Sequence, residues 1–302
     1  MPRGLPSPTT PSSYQLYEGI TYQDYWCSKD TANSNTLEHA IIRELLPPHG
    51  SLLLDLGCGY GRIADCYLDH FENVVMFDGS RSLLEGAQKA TCGKAHYVWG
   101  DINHLPFRSS VFDCVIMVRV FQHLDDSRGC MQSVSRILCQ DGYFIFNYWN
   151  NRNVRRILKY ILGMIRQNPF TTEPVQLEAN LYHHHPNYIS GLLSAADFEI
   201  LTYRGAGVFN RMVAAAGFFA DFIPAGISLA PFLGRFFLAP WIFCQARLKK
   251  DDRPQSVSRQ VSWLICPCCG LELVSSTNGF ECRGCGRSYP VKDGIVDMRI
   301  DR

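Results

Sequence analysis

An α/β fold, with a doubly wound and mostly parallel seven-stranded sheet followed by a small β-rich metal-binding domain, is predicted by three observations. Short apolar runs alternate with amphipathic segments from residue 36 to about residue 248. The first of these runs passes into a turn with glycine at alternate positions, 55-DLGCGYGR-62. Five of the thirteen cysteines crowd between Cys266 and Cys285.

In chain order, 36-TLEHAIIRELL-46 has helical spacing and is stopped by Pro47 and Pro48. Strand 51-SLLLDL-56 leads into the glycine turn, and a helix is expected from there to about His70. Strand 73-NVVMFD-78, helix 80-SRSLLEGAQKA-90, strand 95-AHYVWG-100 and strand 112-FDCVIMV-118 follow. Helix 127-SRGCMQSVSRIL-138 and a turn at Asp141-Gly142 precede strand 143-YFIFNYW-149. The strands 198-FEILTYRG-205 and 240-PWIFCQARL-248 complete seven. Their continuous apolar character suits a parallel sheet buried on both faces.

Two segments break the alternation. Residues 151-NRNVRRILKYILGMIRQ-167 put Val154, Ile157, Leu158, Ile161, Leu162 and Ile165 on one helical face, with five cations largely opposite and no acid. Residues 208–238 are apolar and rich in phenylalanine, including Phe209, Phe218, Phe219, Phe222, Phe232, Phe236 and Phe237.

The chain has 302 residues, 46% hydrophobic and 19% charged, which suits one large domain with a small one. Net charge is +1, so no global field favours nucleic acid, and a basic patch has to be local. Residues 1–13 read as a disordered tail without the apolar core of a signal peptide, and the polar stretch 249–260 reads as a linker. This divides the chain into a main domain over 14–248 and a small domain over 261–302. The most apolar run, 212–234, is interrupted by Asp221, Pro224 and Pro231, so a membrane-spanning helix is not expected. The scattered single cysteines suit a reducing compartment, and the cytoplasm is the expected location, with contact at a membrane surface left open.

A glycine turn between strand and helix holds a nucleotide-like ligand. The dinucleotide fingerprint needs glycine at position 62, which is Arg62, and no Gly-Lys-Ser/Thr is present for a phosphate loop. The turn Asp55-x-Gly57-x-Gly59-x-Gly61 stands with three more motifs, 75-VMFDGS-80, 98-VWGDINHLPF-107 and 111-VFDCVIMVRVFQHLDD-126. On these four, over residues 20–248, the sequence resembles the class I S-adenosylmethionine-dependent methyltransferases of Rossmann-like fold, in the small-molecule branch that includes quinone-biosynthesis enzymes.

The resemblance implies S-adenosylmethionine as cofactor. Its amino-acid end would lie on Gly57, Cys58, Gly59 and Gly61, whose N–H groups meet the carboxylate, while Asp55 helps to place the ammonium. Asp78 would accept from the ribose hydroxyls, although it could also cap the next helix, a role that Ser80 fills better. Asp101 and Ile102 would flank the adenine, although Asp101 could simply cap a turn before Asn103. Val118 and Arg119 would line the sulfonium. His123 is placed near the acceptor, as a general base or as a hydrogen-bonding loop residue. The triplet His183-His184-His185 is read as a loop before Pro186, with metal binding as the lesser alternative, because consecutive residues do not all face one ion.

Cys266-x-x-Cys269 and Cys282-x-x-Cys285 form two knuckles whose four thiolates suit a closed, structural tetrahedral zinc site, with Cys268 outside it. The stretch 263–298 resembles the small zinc-ribbon-like proteins that bind and stabilise methyltransferases as separate subunits. Fusion to the main domain implies stabilisation in cis.

For the acceptor, 118-VRVF-121 lacks the Asn/Asp-Pro-Pro-aromatic motif of base-methylating amine enzymes, which disfavours nucleic acid. The basic, apolar-faced helix and the aromatic segment point to a small, amphiphilic or lipid-like acceptor. The other readings are a methyltransferase acting on RNA or a translation protein, a non-enzymatic cofactor-binding scaffold, and a segment 208–238 that merely packs on the zinc domain.

Overall fold

The computed structural model describes residues 29–178, 180–208, 219–249 and 262–300; the expected tail and all but the first residue of the expected linker lie outside them, as do Phe209 and Phe218. Helix α1 spans Lys29–Leu45, β1 Gly50–Leu56, β2 Phe71–Asp78, α2 Arg81–Ala90, β3 His96–Trp99 and β4 Phe112–Met117. Helix α3 (Ser127–Ile137) leads to β5 (Leu138–Trp149), then α4 (Val154–Ile161) and the hairpin β6 (Val175–Glu178) and β7 (Leu181–His183). Helix α5 (Pro186–Ala195), β8 (Phe198–Ala206), α6 (Phe219–Arg235) and β9 (Trp241–Leu248) follow. The last strands are β10 (Leu273–Ser276), β11 (Gly279–Cys282), β12 (Ser288–Lys292) and β13 (Ile295–Asp297).

The sheet is mixed and has eleven strands, in the order β10-β11-β12-β13-β3-β2-β1-β4-β5-β9-β8. The seven expected strands are its larger part, with β9 antiparallel to β5 and β8 antiparallel to β9. The departure from a seven-stranded sheet lies at the β3 edge. There β13 pairs in parallel with β3, Ile295 opposite Tyr97 and Asp297 opposite Trp99, so the cysteine-bearing strands extend the main sheet. An edge strand offers unpaired N–H and C=O groups, and β13 covers them. Further contacts hold this junction: Ile265 N–H to the Pro106 carbonyl (2.9 Å), Arg108 N–H to that of Trp263 (3.0 Å), and the Trp263 ring against Phe107 and His96.

Strand alternation divides the interior into two layers. Leu54, Leu56, Val75 and Phe77 pack with residues of α3 and α5 on one face. Leu53, Met76 and Ile116 pack with Ile41, Ile42 and Leu45 of α1 and with Leu84 and Ala87 of α2 on the other.

Four local expectations are corrected. After the glycine turn the chain makes tight turns and one 3-10 turn, Ala64–Cys66, in place of a helix to His70; Gly59 and Gly61 both have positive φ, and the bonds Ala64 N–H to Gly61 and Tyr67 N–H to Ala64 span only three residues. The helix expected over 151–167 ends at Ile161, followed by Gly163 with φ 68°. The histidine triplet is no exposed loop: His183 ends β7, His184 bridges to Asn150, His185 caps α5, and all three are buried. The described part of 208–238 is α6, which packs on β8 and α1 at the far edge from the cysteines, so it does not cover the zinc-ribbon-like strands.

Candidate functional site

A cavity of about 140 Å³ opens at the C-terminal ends of β1, β2 and β4, where the strand order reverses and where open α/β sheets bind ligands. Of the residues expected to bind cofactor, Asp55, Gly57, Cys58, Gly59, Asp78, Ile102, Val118 and Arg119 line it, as does His123. Gly61 and Asp101 do not.

Gly57 (φ 80°) crosses the cavity floor where a Cβ would lie 2.3 Å from Val120 Cγ2, so both conformation and space require glycine. Gly61 serves packing instead: a Cβ there would meet the Ala87 backbone at 3.3 Å. The N–H groups of Gly57 and Cys58 donate to the Phe77 carbonyl at 2.8 and 3.1 Å. Asp78 accepts from the N–H groups of Gly59 and Ser80, both at 2.8 Å. The amides of Gly57, Cys58, Gly59 and Gly61 are thus bonded within the protein. Burial raises the Asp78 pKa against these bonds.

Cations also line the cavity. Arg62 and Arg119 both line the cavity and share Glu38 of α1, which is fully buried; Arg62 Nη2 lies 2.9 Å from Glu38 Oε2, and Arg119 Nη2 bonds to Oε1. The two guanidiniums thus meet on one carboxylate at the cavity wall, with Asp55 and Asp78 in the same lining. Arg119 is further fixed by its place 3.5 Å over the Trp241 ring, by its N–H on Asn147 Oδ1 (2.7 Å), and by a backbone φ of 66° that non-glycine residues rarely adopt.

Asp55 lies on the floor, 1% exposed, with the Tyr67 hydroxyl donating to Oδ2 at 2.5 Å. Burial pushes its pKa up to about 7, opposed by the Tyr67 bond and reinforced by the charge of Asp78. Burial likewise raises the Cys58 thiol far above its ordinary value, so it remains a thiol that packs. Asp101 takes the turn-capping role: it accepts from Asn103 N–H at 2.8 Å and faces His104 Nδ1 at 3.0 Å. His123 stands on the 3-10 turn Phe121–His123 after β4, its Nδ1 2.9 Å from the Asn180 carbonyl, and burial keeps its pKa below the ordinary histidine value. A neutral imidazole at this wall can accept a proton.

Glu38 and Arg62 were not singled out from the sequence. The signal was present: Glu38, Ile41, Ile42 and Leu45 recur at helical spacing, so a carboxylate stands on the stripe that α1 buries.

The four sulfurs of Cys266, Cys269, Cys282 and Cys285 lie within 4.8 Å of one another, with Cys266 to Cys285 at 3.6 Å and Cys269 to Cys282 at 3.3 Å. A tetrahedral zinc with bonds of about 2.3 Å sets its sulfurs about 3.75 Å apart, so the cluster fits the ion. Cys268 is exposed and outside the cluster.

Residues 54–146 match the family model described as a methyltransferase domain. Among curated proteins, the chain is 28% identical over 133 residues to the O-methyltransferase resE of Aspergillus sclerotiorum, over 40% of this chain and 50% of that protein. The chain thus spans about half the length of the curated relatives it matches. A chain of the complex between the Haloferax volcanii Trm112 methyltransferase activator and a candidate methyltransferase superposes with TM-score 0.52 at 16% identity, covering 75% of this chain and 97% of that one. The Synechocystis magnesium protoporphyrin IX methyltransferase with bound S-adenosylhomocysteine gives TM-score 0.52 at 14% identity, over 75% and 92%. The structural likenesses establish the fold.

Proposed function

We propose that this chain, which carries a class I S-adenosylmethionine-dependent methyltransferase domain, transfers a methyl group from S-adenosylmethionine to a small amphiphilic acceptor and is stabilised in cis by a zinc-bearing extension. The observation that carries the reading is the cavity itself: an acid at the end of β2, an acid near the end of β1 with glycines after the strand, and two cations sharing one buried acid, all opening on one space.

Asp78 would take the ribose hydroxyls with lone pairs beyond its two amide bonds. Ile102 and Leu83 would sandwich the adenine, and the cationic pair would meet the cofactor's carboxylate. Asp55 would face its ammonium, and Val118, Val120 and Arg119 the sulfonium. The methyl group is already activated, so the protein mainly aligns the acceptor for in-line attack. His123 would accept a proton from a hydroxyl acceptor; resE is named an O-methyltransferase, and oxygen is the acceptor atom we favour.

The amphiphilic character rests on α4 and the segment after it. Leu158, Ile161, Leu162 and Met164 are 54 to 70% exposed beside Lys159, and Phe232 of α6 and Phe236 just after it are half exposed. Such exposure of large apolar groups supports a surface that meets lipid or an apolar ligand. Among the described residues no helix is long and apolar enough to cross a membrane. We test the reading with methyl-labelled S-adenosylmethionine and total lipid extract. Label should enter the organic phase; label entering RNA or protein instead would replace the amphiphile with a macromolecular acceptor.

The zinc extension reaches the cavity through β3. Arg299 lies 3.3 Å over the Trp99 ring, and Trp99 Nε1–H donates to the Gly79 carbonyl at 2.9 Å, next to Asp78. Zinc held by Cys266, Cys269, Cys282 and Cys285 would supply structure, since four thiolates leave no open position.

A pH dependence follows from Asp55. Its folded pKa is raised to about 7, so the folded protein keeps a proton that the unfolded chain loses near 4. Stability from this group therefore falls as pH rises between about 4 and 7 and is level above. Affinity for the cofactor's ammonium runs the other way and should rise as Asp55 ionises. Titration calorimetry with S-adenosylmethionine from pH 5.5 to 8.5 should show tightening centred at or below pH 7, absent in Asp55→Asn. A flat wild-type profile would remove Asp55 from this role.

A further inference from the structure

A column of rings leads away from the cavity. Arg119 covers one face of Trp241, Trp241 stacks on Trp149 with centroids 5.1 Å apart, and Trp149 lies 4.2 Å from the ring of His183. The four residues come from the end of β4, the start of β9, the end of β5 and the end of β7, so the column stands over the C-terminal edge of the sheet, on the acceptor side. The neighbouring His184 packs its ring on Phe121, in the same turn as His123.

At the far end of the column the polar accounting fails. His183 is 3% exposed, yet neither Nδ1 nor Nε2 has a hydrogen-bond partner. Beside it the charge of Arg156 from α4 is felt at the imidazole, and Arg156 itself has buried, unpartnered Nε and Nη2 atoms. Buried polar groups are nearly always bonded, so a cluster of such orphans signals a missing partner. Its chemistry can be read from the atoms left over. Nε–H and Nη2–H are the parallel pair on one edge of a guanidinium, the fork that grips two oxygens of a carboxylate or phosphate. His183, with its pKa lowered to about 3 by burial and by Arg156, is neutral and adds one further N–H donor. No acidic residue occurs from 151 to 172 to compete for the site.

We propose that Arg156 and His183 form an oxyanion-binding subsite that holds a phosphate or carboxylate group of the acceptor away from the atom to be methylated. The assignment of the anion to the acceptor rests on the methyltransferase reading above, whereas the subsite itself does not. Tyr160 follows Arg156 by one turn on the same face of α4 and is partly exposed, so an anion held by Arg156 can continue into an apolar group against that ring.

The test uses the full chain and two probes, inorganic phosphate and dihexanoyl phosphatidic acid below its micellar concentration. Binding is followed by calorimetry and by the fluorescence of Trp149, whose signal change should vanish in Trp149→Phe. Saturable binding that weakens at least tenfold in Arg156→Ala, and also weakens in Arg156→Lys, which keeps the charge but not the fork, supports the subsite. Much tighter binding of the lipid assigns it to a headgroup; equal affinities assign it to a free or soluble phosphate. S-adenosylhomocysteine binding should persist in both variants, which shows that they fold and separates failure here from failure of the cofactor reading. No saturable binding of either probe, or equal affinity in wild type and the folded Arg156 variants, overturns the proposal.

Discussion

Replacing Cys282 by serine, or removing zinc with a chelator, is expected to unfold residues 262–300 and to lower the stability of the main domain. Zinc in closed thiolate sites contributes apparent binding free energies of about 10–16 kcal/mol, and most of this becomes folding free energy where the apo site is not preformed. The strands that carry these cysteines have little core to replace it: Cys266, Cys282, Tyr289, Ile295 and Met298 are buried, while most of β10 to β12 is exposed or half exposed. The consequence reaches further than a tethered domain would allow, because β13 covers β3. Loss of the cluster uncovers an edge of the main sheet, and aggregation should accompany unfolding. Metal analysis should find one zinc per chain in wild type and Cys268→Ser and none in Cys282→Ser. Hydrogen exchange should show the β3 amides losing protection together with β13. A metal-free protein with full β3 protection would refute both the zinc and its structural role.

Glu38→Ala should be the most damaging single change outside the cysteines. Burial alone would raise the Glu38 pKa, but Arg119 and Arg62 outweigh it, and the carboxylate is held below its ordinary range. Removing it leaves two largely buried guanidiniums, 10% and 8% exposed, without their shared anion. Breaking one partner from a buried ion pair costs about 3–5 kcal/mol, a large fraction of the stability of an ordinary domain. Chemical denaturation should show that loss, and Glu38→Gln, which keeps some of the hydrogen bonds, should lie between. Acid should act in the same direction: with a depressed folded pKa, the stabilisation from Glu38 is complete at neutral pH and is lost as pH falls through that folded value. A change below about 1 kcal/mol in Glu38→Ala would mean that the triad does not organise the cavity wall.

The parts of this fold that were legible in the sequence are those governed by local pattern. Continuous apolar runs such as 112–117 became buried strands, and Ser80 caps α2, with its hydroxyl accepting the Leu83 N–H at 3.4 Å. The glycine turn and Asp78 were legible because their chemistry is confined to a few consecutive residues. What escaped depends on pairing between distant segments. Nothing local to 295–297 announces that this strand pairs with 97–99, since a short alternating run reads the same at a free edge and beside a partner. The Glu38–Arg62–Arg119 triad joins three segments whose charges look solvated when read one at a time. The histidine triplet was misread because Pro186 suggests a loop, whereas it stands at the first turn of α5, where a missing N–H costs nothing.

The most direct test of the central claim is titration of the full chain with S-adenosylhomocysteine, alongside NAD, in wild type and Asp78→Ala. The account predicts one site per chain for S-adenosylhomocysteine and none for NAD. Loss of a charged hydrogen bond worth about 1.5–3 kcal/mol should weaken the Asp78→Ala variant by roughly ten- to hundredfold. Absence of S-adenosylhomocysteine binding, unchanged affinity in Asp78→Ala, or tight binding of NAD would contradict it.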